Sequence, residues 1–130
     1  MTEPQQHILL VGAGLAGSLL SIYLARRGFR VDVYERRADM RRVHMSAGRS
    51  INLALSARGI HALREVGLLD AMMEVAIPMR GRMIHDTDGR TTFQPYGRDD
   101  SEVIHSISRG ELNRKLMDLA ESHPHVRIHF

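Results

Sequence analysis

An α/β fold, doubly wound around a mostly parallel sheet, is the class this 130-residue sequence predicts, and three observations predict it. The first is the spacing Gly12-Ala13-Gly14-Leu15-Ala16-Gly17. The second is its flanks: a short apolar run, His7-Ile8-Leu9-Leu10-Val11, before it and a helix-forming run from Leu15 to Arg27 after it, closed by Gly28. The third is Arg30-Val31-Asp32-Val33-Tyr34-Glu35, which alternates like a strand and ends on an acid about twenty residues beyond the glycines. Strand, glycine turn, helix, strand and acid in this order are the parts of a dinucleotide-binding βαβ unit.

Each part has a physical task. Gly12 permits the tight turn out of the strand, Gly14 lacks the Cβ that would keep a pyrophosphate off the backbone N–H groups, and Gly17 allows close packing of the helix on the sheet. The helix N-terminus adds unpaired N–H donors and a partial positive charge. Glu35 stands where a carboxylate would accept from a ribose 2′-OH. A Gly-rich turn in an ordinary buried helix–strand pair is the bland alternative, and the presence of every flanking part in register argues against it.

The remaining elements follow in order. Residues 38–49 are polar and Arg-rich and read as a loop. Ile51, Leu53 and Leu55 alternate as a strand, and Ser56 stands at the N-cap of a helix over 57–66 that stops at Gly67. A short helix over 68–75 ends at Pro78. Residues 79–85 read as a strand, Asp88-Gly89 as a hairpin turn and 91–94 as the returning strand, with a polar loop over 95–100. Val103 to Ile107 is a further strand. Ser108-Arg109-Gly110-Glu111 has the form of a capping box opening a helix whose Leu112, Leu116 and Leu119 define one buried face. Residues 125–130 close the sequence as a strand with Val126, Ile128 and Phe130 on one side. A doubly wound sheet normally has five or six strands, so the expectation is an N-terminal portion of a Rossmann-like domain, truncated before the domain is complete.

Composition sets bounds. One domain at most fits this length. The net charge of +3 is mild, there is no Trp, and there are three Phe and three Tyr. The arginine pairs 26–27, 36–37 and 41–42 stand at element ends, so a nucleic-acid surface is not expected. The absence of cysteine excludes disulfides, a thiolate nucleophile and Fe–S ligation, is compatible with a reducing cytoplasm, and leaves the cytoplasm as the expected location. The histidines show no H-E-x-x-H or similar metal spacing. The sequence is uncharged from Ile8 to Ala25, close to a membrane span in length. Its three glycines and two serines suit a buried strand–turn–helix better, and Met1 to His7 lacks the positive charge of a signal peptide.

More particular blocks follow the glycine turn: Val33-Tyr34-Glu35-Arg36-Arg37, Gly48-Arg49-Ser50-Ile51-Asn52-Leu53-Ala54-Leu55-Ser56, Met79 to His85, Gln94-Pro95-Tyr96-Gly97 and Ser106 to Arg109. With these the chain resembles, essentially from end to end, the N-terminal part of the kynurenine 3-monooxygenases, a family of FAD-dependent aromatic hydroxylases. The resemblance implies FAD held in a Rossmann-like domain and reduced by NADPH. It also implies reaction with O₂ to a flavin C4a-hydroperoxide and hydroxylation of L-kynurenine to 3-hydroxykynurenine, on the path from tryptophan to NAD. It further implies that Gly12, Gly14, Ala16 and Gly17 line the FAD pyrophosphate, that Glu35 holds the adenosine ribose with Tyr34, Arg36 and Arg37 beside it, and that Ala54 and Arg109 contact the cofactor. Arg82 and Tyr96 would hold the substrate carboxylate, a role that suits a guanidinium fork and a phenol. No catalytic acid or base is assigned.

The sequence departs from the family pattern at Ala47, where Arg is common, and at His105, where a larger apolar or aromatic residue is common. Other readings stay open. A different FAD-dependent aromatic hydroxylase would share the turn, Glu35 and Arg109, and an NAD(P)-dependent dehydrogenase would share the turn, with Arg36 suited to a 2′-phosphate. The chain alone could also be a nucleotide-binding fragment without turnover.

Overall fold

The computed structural model describes residues 6–43 and 52–130; Ala47 and the block from Gly48 to Ile51 lie outside them. In chain order the elements are β1 (His7–Val11), α1 (Leu15–Arg26), β2 (Arg30–Tyr34), β3 (Asn52–Leu55), α2 (Ala57–Val66), α3 (Leu69–Met73), β4 (Ile77–Met79), β5 (Gly81–His85), β6 (Thr91–Pro95), β7 (Ile104–Ser108), α4 (Arg109–Glu121) and β8 (Val126–His129). They form two compact units, the first from the chain up to Ile51 together with Arg109–Phe130, the second Asn52–Ser108.

In the first unit β1, β2 and β8 make a parallel sheet in that order, in register from His7 opposite Arg30 to Val11 opposite Tyr34 and from Val31 opposite Val126 to Tyr34 opposite His129. Period-2 alternation sends Val31, Val33, Val126 and Ile128 to one face, where all four are buried; α1 and α4 pack on these strands and on each other. α1 contributes Ser18, Ser21, Ile22 and Ala25, spaced i, i+3, i+4, i+7 as a single inward stripe requires. Each buried Val or Ile side chain stabilises the unit by about 1.5–3 kcal/mol. The two buried hydroxyls are satisfied locally: Ser21 donates to the Ser18 carbonyl at 2.7 Å and Ser18 to that of Ala13 at 3.1 Å.

α4 buries Leu112, Asn113, Leu116, Met117 and Ala120. The face expected through Leu119 is therefore turned toward Asn113 and Met117, and Leu119 is half-buried. Phe130 lies beyond the end of β8 and is exposed, with the Arg41 guanidinium 5.6 Å from its ring centroid. Arg41 also binds Asp39, Asp118 and Glu121, at 2.8, 3.3 and 2.6 Å, tying the segment after β2 to the end of α4.

The opposite face of the sheet carries Asp32, buried, between two histidines: His7 Nε2 lies 2.5 Å from one carboxylate oxygen and His129 Nε2 2.7 Å from the other.

In the second unit β3 and β4 flank β7 antiparallel, and β5 and β6 form a separate hairpin. The strand expected over 79–85 is divided at Arg80: Ile77–Met79 pairs with β7 and Gly81–His85 with β6. Pro78 sits inside β4 rather than ending a helix. Among the described residues β4 is an edge strand, the position at which a sheet tolerates a residue that lacks an N–H. Ser56 occupies the N-cap of α2 with extended backbone and makes no side-chain cap bond; its carbonyl accepts from the Ile60 N–H at 2.9 Å. Gly67 ends α2 in the left-handed region at φ 80°, as expected of a C-terminal glycine.

Candidate functional site

The glycine turn is held by its own geometry before any ligand is considered. Gly12 sits at φ 99°, a conformation a side chain would strain, and its N–H donates to the Tyr34 carbonyl at 2.8 Å, joining the turn to the end of β2. A Cβ on Gly17 would collide with the Gly12 carbonyl oxygen. That glycine is therefore needed for the approach of helix to turn, a tighter constraint than the helix-to-sheet packing expected. A Cβ on Gly14 would meet no atom within 4 Å, so the space outside this residue is open. Ser18 N–H donates to the Gly14 carbonyl at 3.0 Å and closes the first turn of α1. This leaves the N–H groups of Leu15, Ala16 and Gly17 without intrahelical acceptors; Ala16 is exposed.

Glu35 is buried beside this turn. One carboxylate oxygen accepts the Ala13 N–H at 2.9 Å; the other accepts the Arg37 N–H and the Arg37 Nε, each at 3.0 Å. Burial pushes the carboxyl up, but the bonds from the Arg37 side chain and from the Arg37 and Ala13 backbones, with the Arg37 charge, outweigh it and hold Glu35 below its ordinary value. Arg36 is exposed, and Tyr34, half exposed, stacks on His129 with centroids 4.7 Å apart.

Arg109 is the first residue of α4 and is exposed. Four residues on, Asn113 Nδ2 donates to the Ala13 carbonyl at 3.0 Å. Residues i and i+4 share a helix face, so the face that carries Arg109 is the one docked against the glycine turn. Asn113 was not among the residues singled out from sequence. The signal for it is a polar side chain adjoining Leu112 on what is otherwise an apolar face.

The first unit thus brings together Gly12, Gly14, Ala16, Gly17, Glu35, Arg37 and the helix of Arg109, with Tyr34 and Arg36 at the same strand end. The second unit holds the other three candidates. Ala54 is exposed on β3, opposite Ser106. Arg82 on β5 lies opposite Gln94 on β6, and its Nε donates to the Gln94 side-chain oxygen at 2.7 Å. The Tyr96 N–H donates to the Arg80 carbonyl at 2.9 Å, carrying the ladder one residue past Pro95. Tyr96 stands two residues beyond Gln94, so the pleat sets Arg82, Gln94 and Tyr96 on one face of the hairpin. On β7, His105 Nδ1 is buried without a hydrogen-bond partner among the described residues.

An open space outside Gly14, unpaired N–H groups at the start of a helix and a buried acid at the next strand end are the parts a dinucleotide needs for its phosphates and its ribose. The chain belongs to the FAD binding domain family, which it matches over residues 5–130. Among curated relatives it is 60% identical over 123 residues to a kynurenine 3-monooxygenase of Myxococcus xanthus (95% of this chain, 26% of the relative). It is 57% identical over 126 residues to one of Xanthomonas axonopodis pv. citri (97% and 28%). The chain spans little more than a quarter of the length of these relatives. The same fold is found in 2-methyl-3-hydroxypyridine-5-carboxylic acid oxygenase, with a TM-score of 0.74 at 16% identity over 95% of this chain and 31% of that one. It recurs in the p-nitrophenol 4-monooxygenase PnpA of Pseudomonas putida, with a TM-score of 0.74 at 20% identity over 96% and 32%. No helix among the described residues is long and apolar enough to cross a membrane.

Proposed function

We propose that this chain supplies the FAD-holding turn and the first substrate-facing residues of an NADPH-dependent flavoprotein monooxygenase that converts L-kynurenine to 3-hydroxykynurenine with O₂. The observation that carries the reading is the turn itself: a Gly14 open to its surroundings, backed by a buried Glu35 bound to the adjoining peptide. The kynurenine 3-monooxygenase relatives, 60% and 57% identical across 95% and 97% of the chain, support the substrate.

In this reading the N–H groups at Gly14 and the start of α1 bind the pyrophosphate, with Gly12 and Gly17 shaping the turn and Ala16 at its rim. Glu35 takes the ribose hydroxyls. Tyr34, Arg36 and Arg37 flank the adenosine, and Arg109 and Ala54 touch the cofactor. FAD, when bound, accepts electrons from NADPH and activates oxygen. Arg82 and Tyr96 grip the substrate carboxylate, and Gln94, which already holds Arg82 Nε, orients the guanidinium. Residues 1–130 then comprise a Rossmann-like cofactor portion and, in the second unit, the start of the substrate region, acting in the cytoplasm.

The test is NADPH oxidation by the complete protein loaded with FAD, with and without L-kynurenine, alongside the yield of 3-hydroxykynurenine. Kynurenine-stimulated oxidation matched by product supports the reading. Stimulation without product makes kynurenine an effector and removes it as substrate. Absence of stimulation returns the protein to the wider class of FAD-dependent hydroxylases, and failure to bind FAD removes the cofactor assignment altogether.

A further inference from the structure

We infer that Asn113 is a positioning residue for the cofactor turn: from α4, a hundred residues along the chain, it fixes the direction of the peptide between Ala13 and Gly14. The inference rests on the reading of the turn as the FAD pyrophosphate site.

A trans peptide is planar, with its C=O and N–H pointing in opposite directions. In the Ala13–Gly14 peptide the carbonyl points inward. It accepts two side-chain bonds, from Ser18 Oγ at 3.1 Å and from Asn113 Nδ2 at 3.0 Å. All three residues are buried. The Gly14 N–H of the same plane therefore points the other way, away from Ser18 and Asn113. In the preceding peptide, between Gly12 and Ala13, the Ala13 N–H is held by Glu35. The Ala13–Gly14 peptide is thus clamped through its carbonyl from α1 and from α4, the peptide before it is held from the end of β2, and the Gly14 N–H is directed away from the two carbonyl donors.

The two carbonyl donors are not equivalent. Ser18 belongs to the helix that the turn itself opens, so its bond moves with the turn. Asn113 reaches in from a separate helix and ties the turn's orientation to α4. The same amide lies 3.2 Å from the Met40 sulfur, a weak acceptor that cannot replace the carbonyl. With Asn113 gone, the Ala13 carbonyl keeps only the Ser18 hydroxyl, and the peptide gains freedom to rotate its N–H away from a phosphate. Preorganised donors bind more tightly than ones that must be ordered at the moment of binding.

The experiment measures FAD affinity and thermal stability on the complete protein for four forms: unsubstituted, Asn113→Leu, Asn113→Ala and Met40→Leu. Leu fills the space of Asn in an apolar surrounding, so Asn113→Leu is expected to keep Tm close to the unsubstituted protein while weakening FAD about ten-fold, the scale of one buried hydrogen bond. Met40→Leu removes the other neighbour of the amide and is expected to leave FAD affinity unchanged. ADP, which carries the pyrophosphate without the flavin, should show the same loss on Asn113→Leu as FAD. The inference is overturned if Asn113→Leu binds FAD as the unsubstituted protein does. It is equally overturned if affinity falls only in step with Tm across all three variants, which is the mark of a purely structural residue. If the unsubstituted protein fails to bind FAD, the reading of the turn fails instead, and the two failures are distinguished by that first arm. Should Asn113→Ala not fold, Asn113→Leu alone decides the matter.

Discussion

The Glu35 carboxylate and the Ala13 amide meet at 2.9 Å, which makes the acid ending β2 and the peptide after Gly12 parts of one structure. Replacing Glu35 by Ala removes the acceptor and strands a buried N–H, at a cost of about 1–3 kcal/mol. Glu35→Ala is expected to lower Tm and to weaken FAD, both measurable on the same preparation. The pH dependence has a definite sign. The folded-state pKa lies below the ordinary value of 4.5, so the contribution of Glu35 is fully present above that value and is lost as pH falls through the lower one. A Glu35→Ala variant whose Tm matches the unsubstituted protein at pH 7 would show that the bond contributes nothing.

Two glycines of the turn separate binding from folding. Gly14 has extended backbone, φ −73° and ψ −169°, which a β-branched residue adopts readily, and nothing crowds its Cβ position. Gly14→Val is therefore expected to keep Tm and lose FAD, because the side chain fills the space a pyrophosphate would take. Gly17→Ala drives a Cβ into the Gly12 carbonyl and is expected to cost about 1–3 kcal/mol of stability before binding is considered. Flavin absorbance after purification reads the first, and thermal unfolding the second. A yellow, flavin-loaded Gly14→Val protein would refute the assignment of the turn.

What was legible in the sequence divides along the range of the interactions. β1, the glycine turn, α1, β2 and Glu35 are consecutive, and each is specified by local rules: an apolar run, glycine spacing, a C-terminal Gly28, alternation. The antiparallel pairing of β4 with β7 joins Ile77 to Ser106, and no local pattern announces it. The run from Met79 to His85 reads as one strand, with Pro78 as the end of a helix, and reveals neither that Ile77 and Pro78 join the sheet nor that the chain changes partners at Arg80. The rotation of the α4 face has the same origin. Leu119 matches helical spacing as well as Met117 does, and only the contacts with α1 and β8 select between them. Asn113 was hidden for a related reason: a lone Asn in a helix is usually a solvated residue, and its partner at Ala13 is a hundred positions away.

Arg82 supplies a prediction for the second unit. Its guanidinium is exposed and its Nε is held by Gln94, so the surrounding hairpin does not depend on it for burial. Arg82→Ala in the complete protein is expected to change stability by no more than about 0.5 kcal/mol. If Arg82 grips the substrate carboxylate, losing it costs about 2–5 kcal/mol, or at least about 30-fold in KM for kynurenine, with FAD affinity unaltered. Gln94→Ala should raise KM less, because it loosens the guanidinium without removing it. Steady-state kinetics on the two variants measures both effects, and an unchanged KM for Arg82→Ala takes the residue out of the site.

Asp32 makes the sharpest claim about acid. It lies between His7 on β1 and His129 on β8, with Arg30 Nε at 3.8 Å and Arg127 opposite it in the register. All four neighbours are basic. The bond from His129 lowers the Asp32 pKa most; burial opposes it, and the bond from His7 and the charges of both histidines add to the lowering. The net value sits below the ordinary 3.8. The sign follows: the carboxylate stabilises the three strands fully above the ordinary value, and that contribution is lost as pH falls through the depressed one. Asp32→Asn keeps the shape but removes the negative charge and offers one acceptor in place of two, so one histidine must become neutral and accept from the amide NH₂. A hydrogen bond to a charged group is worth about 1.5–3 kcal/mol, so the variant is expected to melt several degrees lower at pH 7. Its stability should also fall less steeply than that of the unsubstituted protein once the pH drops below 4. Thermal unfolding followed by circular dichroism from pH 7 to pH 3 gives both curves, and parallel curves would mean that the two histidines hold Asp32 without stabilising the sheet.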